Sequence, residues 1–96
     1  MPPNGIQITV LKTDGSVEMK DIWPTANFLL ALQETVGGYI EYVFLGEFDR
    51  AGKCIIVNEE GRLKGLPTNP FFARYHIVGD VVLVNKADFL DEEGEE

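Results

Sequence analysis

Hydrophobic and polar residues alternate in two short segments near the start of the chain. In residues 6–11 isoleucine and valine are separated by polar residues, and the same period of two recurs in residues 17–22. This period, with β-branched residues on one side, predicts half-buried strands. Asp14-Gly15 lies between them and is a frequent pair in tight hairpin turns. The sequence therefore predicts a β-hairpin.

The next apolar pattern has helical spacing. After Trp23-Pro24, Thr25 is a natural N-cap, and a helix over residues 26–36 would place four apolar side chains in one arc of roughly 100°. The residues of this predicted core face are Phe28, Leu29, Leu32 and Val36. Gly37 can take the left-handed conformation that ends a helix. Leu30 projects nearly opposite the arc, so it is either exposed or covered by something outside the sheet.

The second half of the chain predicts three more strands and a short helix. Residues 39–45 and 54–58 should pair antiparallel through a loop over residues 46–53, and the continuous apolar run 54–58 predicts a central strand covered on both faces. Asn69-Pro70 is an N-cap followed by a first-turn proline, which predicts a helical turn over residues 70–75. Residues 76–85 return to strand, with a bulge at Gly79-Asp80.

The predicted order is β-β-α-β-β-(short α)-β, an α+β fold with one mostly antiparallel sheet of about five strands. A length of 96 residues fits one domain over residues 1–87 with an acidic tail at 88–96. The formal charge is −8, but the tail holds six acids and no base. The rest of the chain has ten acids against eight bases, a net of −2. Without a basic patch, we expect no direct binding to nucleic acid.

Composition also limits the chemistry and the location. No apolar run approaches the ~20 residues that span a bilayer, and no secretory signal pattern is present, so we expect a soluble cytoplasmic protein, away from membranes. The lone Cys54 lies in an apolar run, which indicates a buried, inert thiol, and no metal-ligand spacing or cofactor motif occurs. His76 and Ser16 lack organised partners. We therefore expect no enzymatic activity.

The segment between the fourth and fifth strands, residues 58–70, concentrates turn formers, charges and carboxamides. In an extended segment Arg62 and Lys64 would point the same way and could hold a small anion, although the P-loop spacing is absent. The alternative is a solvated edge strand protected by its charges. The adjacent Glu59 and Glu60 would point apart in a turn, which makes acid–base chemistry unexpected.

Aromatic residues follow this segment. Phe71 and Tyr75 are four residues apart and would share a helical face, with Phe72 about 100° away and Arg74 among them. The cluster either packs the short helix onto the sheet or forms a docking surface. The candidate binding residues are Asn58, Glu59, Glu60, Arg62, Lys64, Asn69, Phe71, Phe72 and Arg74.

Several short motifs together resemble one protein family. They are Leu32-Gln33, Val36-Gly37-Gly38-Tyr39-Ile40-Glu41, Val57-Asn58-Glu59-Glu60-Gly61, Leu66-Pro67-Thr68-Asn69 and Ile77-Val78-Gly79-Asp80-Val81-Val82-Leu83. The set is similar to short proteins of phages, plasmids and bacteria that are catalogued only as a domain of unknown function. The resemblance supplies no activity, cofactor or catalytic residue. It implies a mobile-element setting, in which small non-enzymatic proteins often bind and modulate host machinery.

The leading hypothesis is therefore a small binding protein of phage or mobile-element type that modulates a host protein, in counter-defence or regulation. One alternative is a module that binds a small anion or a nucleotide. Another is a nucleic-acid mimic that acts through its acidic tail. The exposed Leu30 and any unpaired sheet edge also make a homodimer a possible arrangement.

Overall fold

Five antiparallel strands form one sheet in the computed structural model, which describes residues 6–22 and 28–87. The strands are β1 (Ile6–Leu11), β2 (Val17–Ile22), β3 (Ile40–Val43), β4 (Lys53–Asn58) and β5 (Val81–Asn85). The helices are α1 (Phe28–Val36), the short α2 (Gly46–Arg50) and a 3₁₀ helix (Pro70–Tyr75). The strand order is β2-β1-β5-β4-β3, so β2 and β3 are the two edges. The predicted α+β class and the antiparallel sheet of five strands are confirmed.

The predicted hairpin is present and its register follows from its turn. β1 pairs with β2 from Ile6 opposite Ile22 to Leu11 opposite Val17. Gly15 has a φ of +90°, and the Asp14 carboxylate accepts hydrogen bonds from the Ser16 N–H and hydroxyl. These local bonds close the turn and fix which side chains of β1 face the core.

The end of α1 also follows the prediction. Gly37 has a φ of +85°, and the N–H groups of Gly37 and Gly38 both donate to the carbonyl of Gln33, which satisfies the end of the helix. Three predictions lie outside the described residues: the break at Trp23-Pro24, the N-cap Thr25 and the start of the helix at residue 26. So does the predicted acidic tail.

The core face of α1 is narrower than predicted. Leu32 and Val36 are buried and Phe28 packs against the same cluster, whereas Leu29 is exposed. Placing Leu29 in the core was wrong because it occupies the edge of the predicted arc, on the side that turns away from the sheet. Leu30 is exposed, which is the first of the two alternatives predicted for it.

The sheet is covered on both faces. One buried cluster lies between the sheet and α1 and includes Cys54 and Ile56 of β4. The other contains Ile55 and Val57 of the same strand together with Phe72 of the 3₁₀ helix. The prediction that residues 54–58 form a central strand buried on both faces is therefore confirmed. The thiol of Cys54 is fully buried, also as predicted.

Two predicted elements have different bounds in the structure. The segment after β3 was predicted as a loop, but residues 46–50 form α2. Phe48 of α2 packs on the second cluster, with its ring centroid 5.5 Å from that of Phe72. The last strand begins at Val81 instead of residue 76. His76 has a φ of +61° and Gly79 a φ of +81°, and such left-handed residues interrupt a strand. Within the described ranges no helix is long and apolar enough to cross a membrane.

Candidate binding groove

The loop after β4, residues 58–66, is held at its first residue. We call it the connector loop. Asn58 is only 5% exposed, and its Nδ2 donates to the carbonyl of Val36 over 3.0 Å while its Oδ1 accepts from the Glu60 N–H over 2.7 Å. Asn58 therefore joins the loop to the end of α1. Its amide is engaged by the backbone, so its role is to position the loop.

The rest of the connector loop is a series of turns. The Gly61 N–H donates to the carbonyl of Asn58, the Lys64 N–H to Glu60, and the Leu66 N–H to Gly61. A Cβ on Gly61 would lie 2.8 Å from Cγ2 of Val78, so a larger residue would force the loop or that side chain to shift. The loop is therefore a compact element packed against the chain, and it is not an extended edge strand.

This conformation separates the two cations of the loop. The guanidinium of Arg62 donates from Nη2 to the carbonyl of His76, while Nζ of Lys64 lies 3.3 Å from the carbonyl of Gly37. Lys64 is also 4.0 Å from a carboxylate oxygen of Glu60. The prediction that Arg62 and Lys64 point the same way was wrong, because it assumed an extended backbone where the chain turns. The two side chains do not converge on a common ligand position.

Asn69 is an interior residue with three hydrogen bonds. Its side chain is fully buried, its Nδ2 donates to the carbonyls of Leu11 and Gly79 over 2.8 and 2.9 Å, and its Oδ1 accepts from the Phe71 N–H over 2.9 Å. The last bond is the N-cap bond predicted from the Asn-Pro pair. Asn69 thus links the 3₁₀ helix to β1 and to the entry of β5, and none of its polar atoms reaches the surface.

The aromatic cluster is arranged by a kink in the 3₁₀ segment. Phe72 has a non-helical φ of −130° and ψ of 29°, and its ring lies beside that of Tyr75 with the centroids 6.4 Å apart. Phe72 is buried, whereas Phe71 is exposed. The predicted pairing of Phe71 with Tyr75 on one face was wrong, because it assumed one regular α-helix where the backbone is kinked between them. Arg74 lies over the ring of Tyr75 at 5.4 Å from the centroid.

A groove of about 280 Å³ lies beside the connector loop, on the sheet face that carries the 3₁₀ helix. Its apolar lining comes from the sheet and from the chain that leads to β5, namely Val43, Val57, Ile77 and Val78. Charged and polar side chains lie around it, namely Glu41, Glu59, Arg62 and His76. Leu63 lines the groove from the loop and is 88% exposed. We refer to this site as the groove.

A second cleft, of about 290 Å³, lies on the other side of the loop, at the end of α1. It is lined by Gln33, Glu34, Gly37, Gly38, Tyr39, Glu60 and Lys64. The carbonyl end of a helix attracts cations, and here the ammonium of Lys64 already takes that position. The second cleft therefore already contains a cation, Lys64, at the carbonyl end of α1.

The predicted site residues thus separate into four groups. Glu59 and Arg62 line the groove, with Asn58 at its base, while Glu60 and Lys64 line the second cleft. Asn69 and Phe72 belong to the interior. Phe71 and Arg74 are exposed on the 3₁₀ helix and line neither site.

Nine of the twelve groove residues were not among the candidates, and the proposals below depend on Glu41, Val43, Leu63 and His76 among them. Glu41 and Val43 belong to a distant strand, so only the pairing of β3 with β4 brings them to the loop. The signal that could have identified Leu63 is a lone leucine between two cations in a segment of turn formers. An apolar residue there has no core to join.

Neither Cys54 nor a cluster of metal-ligating side chains contributes to the groove in the described part of the chain. Burial raises the pKa of the Cys54 thiol, which keeps it protonated, and its Sγ has no access to solvent. Among the described residues no group of three or more His, Cys, Asp and Glu side chains could hold a metal ion. The buried side-chain polar atoms of the described residues all have hydrogen-bond partners, so none is left directed into the groove.

Comparisons with known proteins agree with the resemblance found in the sequence. No curated protein and no solved structure matches this chain. A family described as Domain of unknown function (DUF3846) matches residues 6–95, which is nearly the full length. The matched range includes both edge strands, the connector loop and all the groove residues. The chain therefore belongs to the DUF3846 family.

Proposed function

We propose that this chain is a small protein-binding module of phage or mobile-element type, and that it acts by binding a host protein, in counter-defence or in regulation of host machinery. The observation that carries the proposal is the groove, whose apolar lining is bordered by charged residues and by one exposed leucine. Protein interfaces have this anatomy, with an apolar centre and a polar rim.

Leu63 is the apolar anchor in this proposal. It is 88% exposed in the chain by itself, and its neighbours in the loop are two cations. Burying an exposed leucine side chain fully gives roughly 1.5–3 kcal/mol. A partner that covers Leu63 would gain that free energy at a position where the loop's own hydrogen bonds have already ordered the backbone.

Arg62 is the polar anchor. Its guanidinium donates one hydrogen bond to the carbonyl of His76, which orders the side chain at the rim, and arginine has further donors for a partner. Ordered arginines are enriched among the residues that dominate binding energy. A joint anion site with Lys64 has no such support, because the two cations lie in different clefts.

A capture experiment with matched variants tests this function. The full chain is immobilised and incubated with host lysate, and captured proteins are identified and then titrated as purified proteins. We expect Leu63→Ser and Arg62→Glu each to weaken the dissociation constant at least tenfold while circular dichroism stays unchanged, since tenfold corresponds to about 1.4 kcal/mol.

The controls repeat the same chemical changes elsewhere. Met19→Ser removes another exposed apolar side chain, and Lys20→Glu reverses another exposed charge, both on β2 at the opposite edge of the sheet. The proposal fails if no specific protein is captured. It also fails if the groove variants and the β2 variants bind the captured protein equally well.

A further inference from the structure

We propose that the partner supplies an extended segment that adds to β3 as a sixth strand of the sheet, with a basic and an apolar side chain lying in the groove. This inference rests on the proposed function and specifies its partner. It starts from β3 (Ile40–Val43), which is the last strand in the sheet order and, among the described residues, pairs with β4 only.

The first hydrogen bond beside β3 shows which of its backbone groups point towards β4 and which point towards the open edge. The carbonyl of Tyr39, just before the strand, accepts from the Glu59 N–H over 2.8 Å. In an antiparallel ladder consecutive residues direct their N–H and C=O groups to opposite sides. Ile40 therefore directs both groups away from β4, towards the open edge. An incoming strand would bond there.

The two edges of the sheet differ in their protection. Proteins discourage strand addition by charges, prolines and bulges on their edge strands. β2 has three charged side chains in six residues, namely Glu18, Lys20 and Asp21. β3 has one, Glu41, and it is flanked by two exposed aromatic residues, Tyr39 at 68% and Phe44 at 65%. The edge at β3 is the one that favours an added strand.

The groove extends the same surface. Glu41 and Val43 alternate with Ile40 and Tyr42 along β3, so they share one face, and both line the groove. A strand added beside them places every second side chain on that face. One of these side chains would lie next to Val43 and fill the apolar lining, and another would lie next to Glu41. Strand-addition sites combine edge hydrogen bonds with pockets for alternate side chains in this way.

Charge distinguishes the occupant. Glu41 and Glu59 form no ion pair within the described ranges, and the nearby guanidinium of Arg62 is bonded to a backbone carbonyl. The guanidinium keeps its positive charge, so the groove carries two carboxylates and one cation, and a basic side chain next to Glu41 would meet a carboxylate that no described cation pairs. A second copy of this chain would instead place one acidic rim against another, which costs free energy. The observations therefore favour a basic segment of another protein over a homodimer.

The probe for this inference is a library of random ten-residue peptides selected against the immobilised chain. We expect selected peptides to share alternating apolar positions with a lysine or arginine among them. Glu41→Lys should weaken their binding about tenfold, whereas the control Glu18→Lys on the other edge strand should not. In hydrogen exchange, binding should protect the amide of Ile40, which distinguishes an added strand from any other bound conformation.

The possible failures separate this inference from the proposed function. Peptides that depend on Leu63 without protecting the Ile40 amide would overturn strand addition and leave the groove as a binding site. Failure to select any peptide that is sensitive to Glu41→Lys would overturn the basic segment. A chain that is dimeric by light scattering, with its Ile40 amide protected in the absence of peptide, would assign the edge to a second copy.

Discussion

Replacing Asn69 with alanine should be among the most destabilising single changes in the segment between β4 and β5. The side chain is fully buried, and it makes three hydrogen bonds to backbone groups that belong to β1, to the 3₁₀ helix and to the entry of β5. Alanine removes all three bonds at once and leaves two carbonyls and one N–H without this partner.

The magnitude follows from the number and kind of bonds. A typical intramolecular hydrogen bond contributes about 1 kcal/mol net, and loss of an asparagine N-cap costs a similar amount. Three bonds therefore give a loss of about 3 kcal/mol in the free energy of unfolding, a large part of the 5–15 kcal/mol that is usual for a domain. At 4–8 °C per kcal/mol for a chain of this size, the melting temperature should fall by about 12–24 °C.

The assay is urea denaturation followed by far-ultraviolet circular dichroism, with Thr68→Ala as the matched control. Thr68 is the neighbouring residue, but its side chain is exposed, so its replacement should change stability by less than about 0.5 kcal/mol. Asn69→Asp adds a second comparison. It replaces the donor group with an oxygen facing the carbonyls of Leu11 and Gly79, so it should be at least as harmful as alanine at neutral pH. Equal denaturation midpoints for Asn69→Ala and Thr68→Ala would refute this account of the interior.

Three further predictions concern other parts of the chain. Gly61→Ala should cost about 1–3 kcal/mol, measured by urea denaturation, because the new Cβ would lie 2.8 Å from Cγ2 of Val78; an unchanged midpoint would contradict the close packing. Hydrogen bonds from the Ser16 hydroxyl and N–H lower the pKa of Asp14 below 3.8, so the stability that this carboxylate contributes is present above that value and is lost as the pH falls through the folded pKa. The stability difference between the wild type and Asp14→Asn should accordingly shrink on acidification below pH 4, and a constant difference would count against it. Cys54 should react with a thiol reagent only as fast as the chain unfolds, since its side chain is buried; rapid labelling under native conditions would contradict that burial.

The sequence predicted those parts of the fold that local patterns determine. The β1–β2 hairpin follows from alternation and an Asp-Gly turn, and the burial of β4 on both faces follows from its unbroken apolar run. The sequence could not predict α2 or the late start of β5. In both cases a tertiary contact decides the local conformation: Phe48 of α2 packs on a ring of the 3₁₀ helix, and Asn69 holds the carbonyl of Gly79.

The candidate site was predicted in part for a related reason. Glu59 and Arg62 were assigned from the composition of the loop, and both line the groove. Glu41 lies on another strand and His76 follows the 3₁₀ helix, and no periodicity in the sequence relates them to the loop. The direction of Lys64 also required the structure, because a single turn in the backbone reverses which side chains share a surface.

The segment between β4 and β5 contains two kinds of residues, those that fix its conformation and those that are exposed for contact. Asn58 and Asn69 are polar residues in a turn-rich segment, which made them candidates for ligand binding, yet both are buried and bonded to backbone groups. Their bonds fix the two ends of the segment that presents Arg62 and Leu63. It follows that a change at Asn58 should lower stability and binding together, whereas a change at Leu63 should lower binding alone. The relation between these two effects is what distinguishes a supporting residue from a contact residue in this fold.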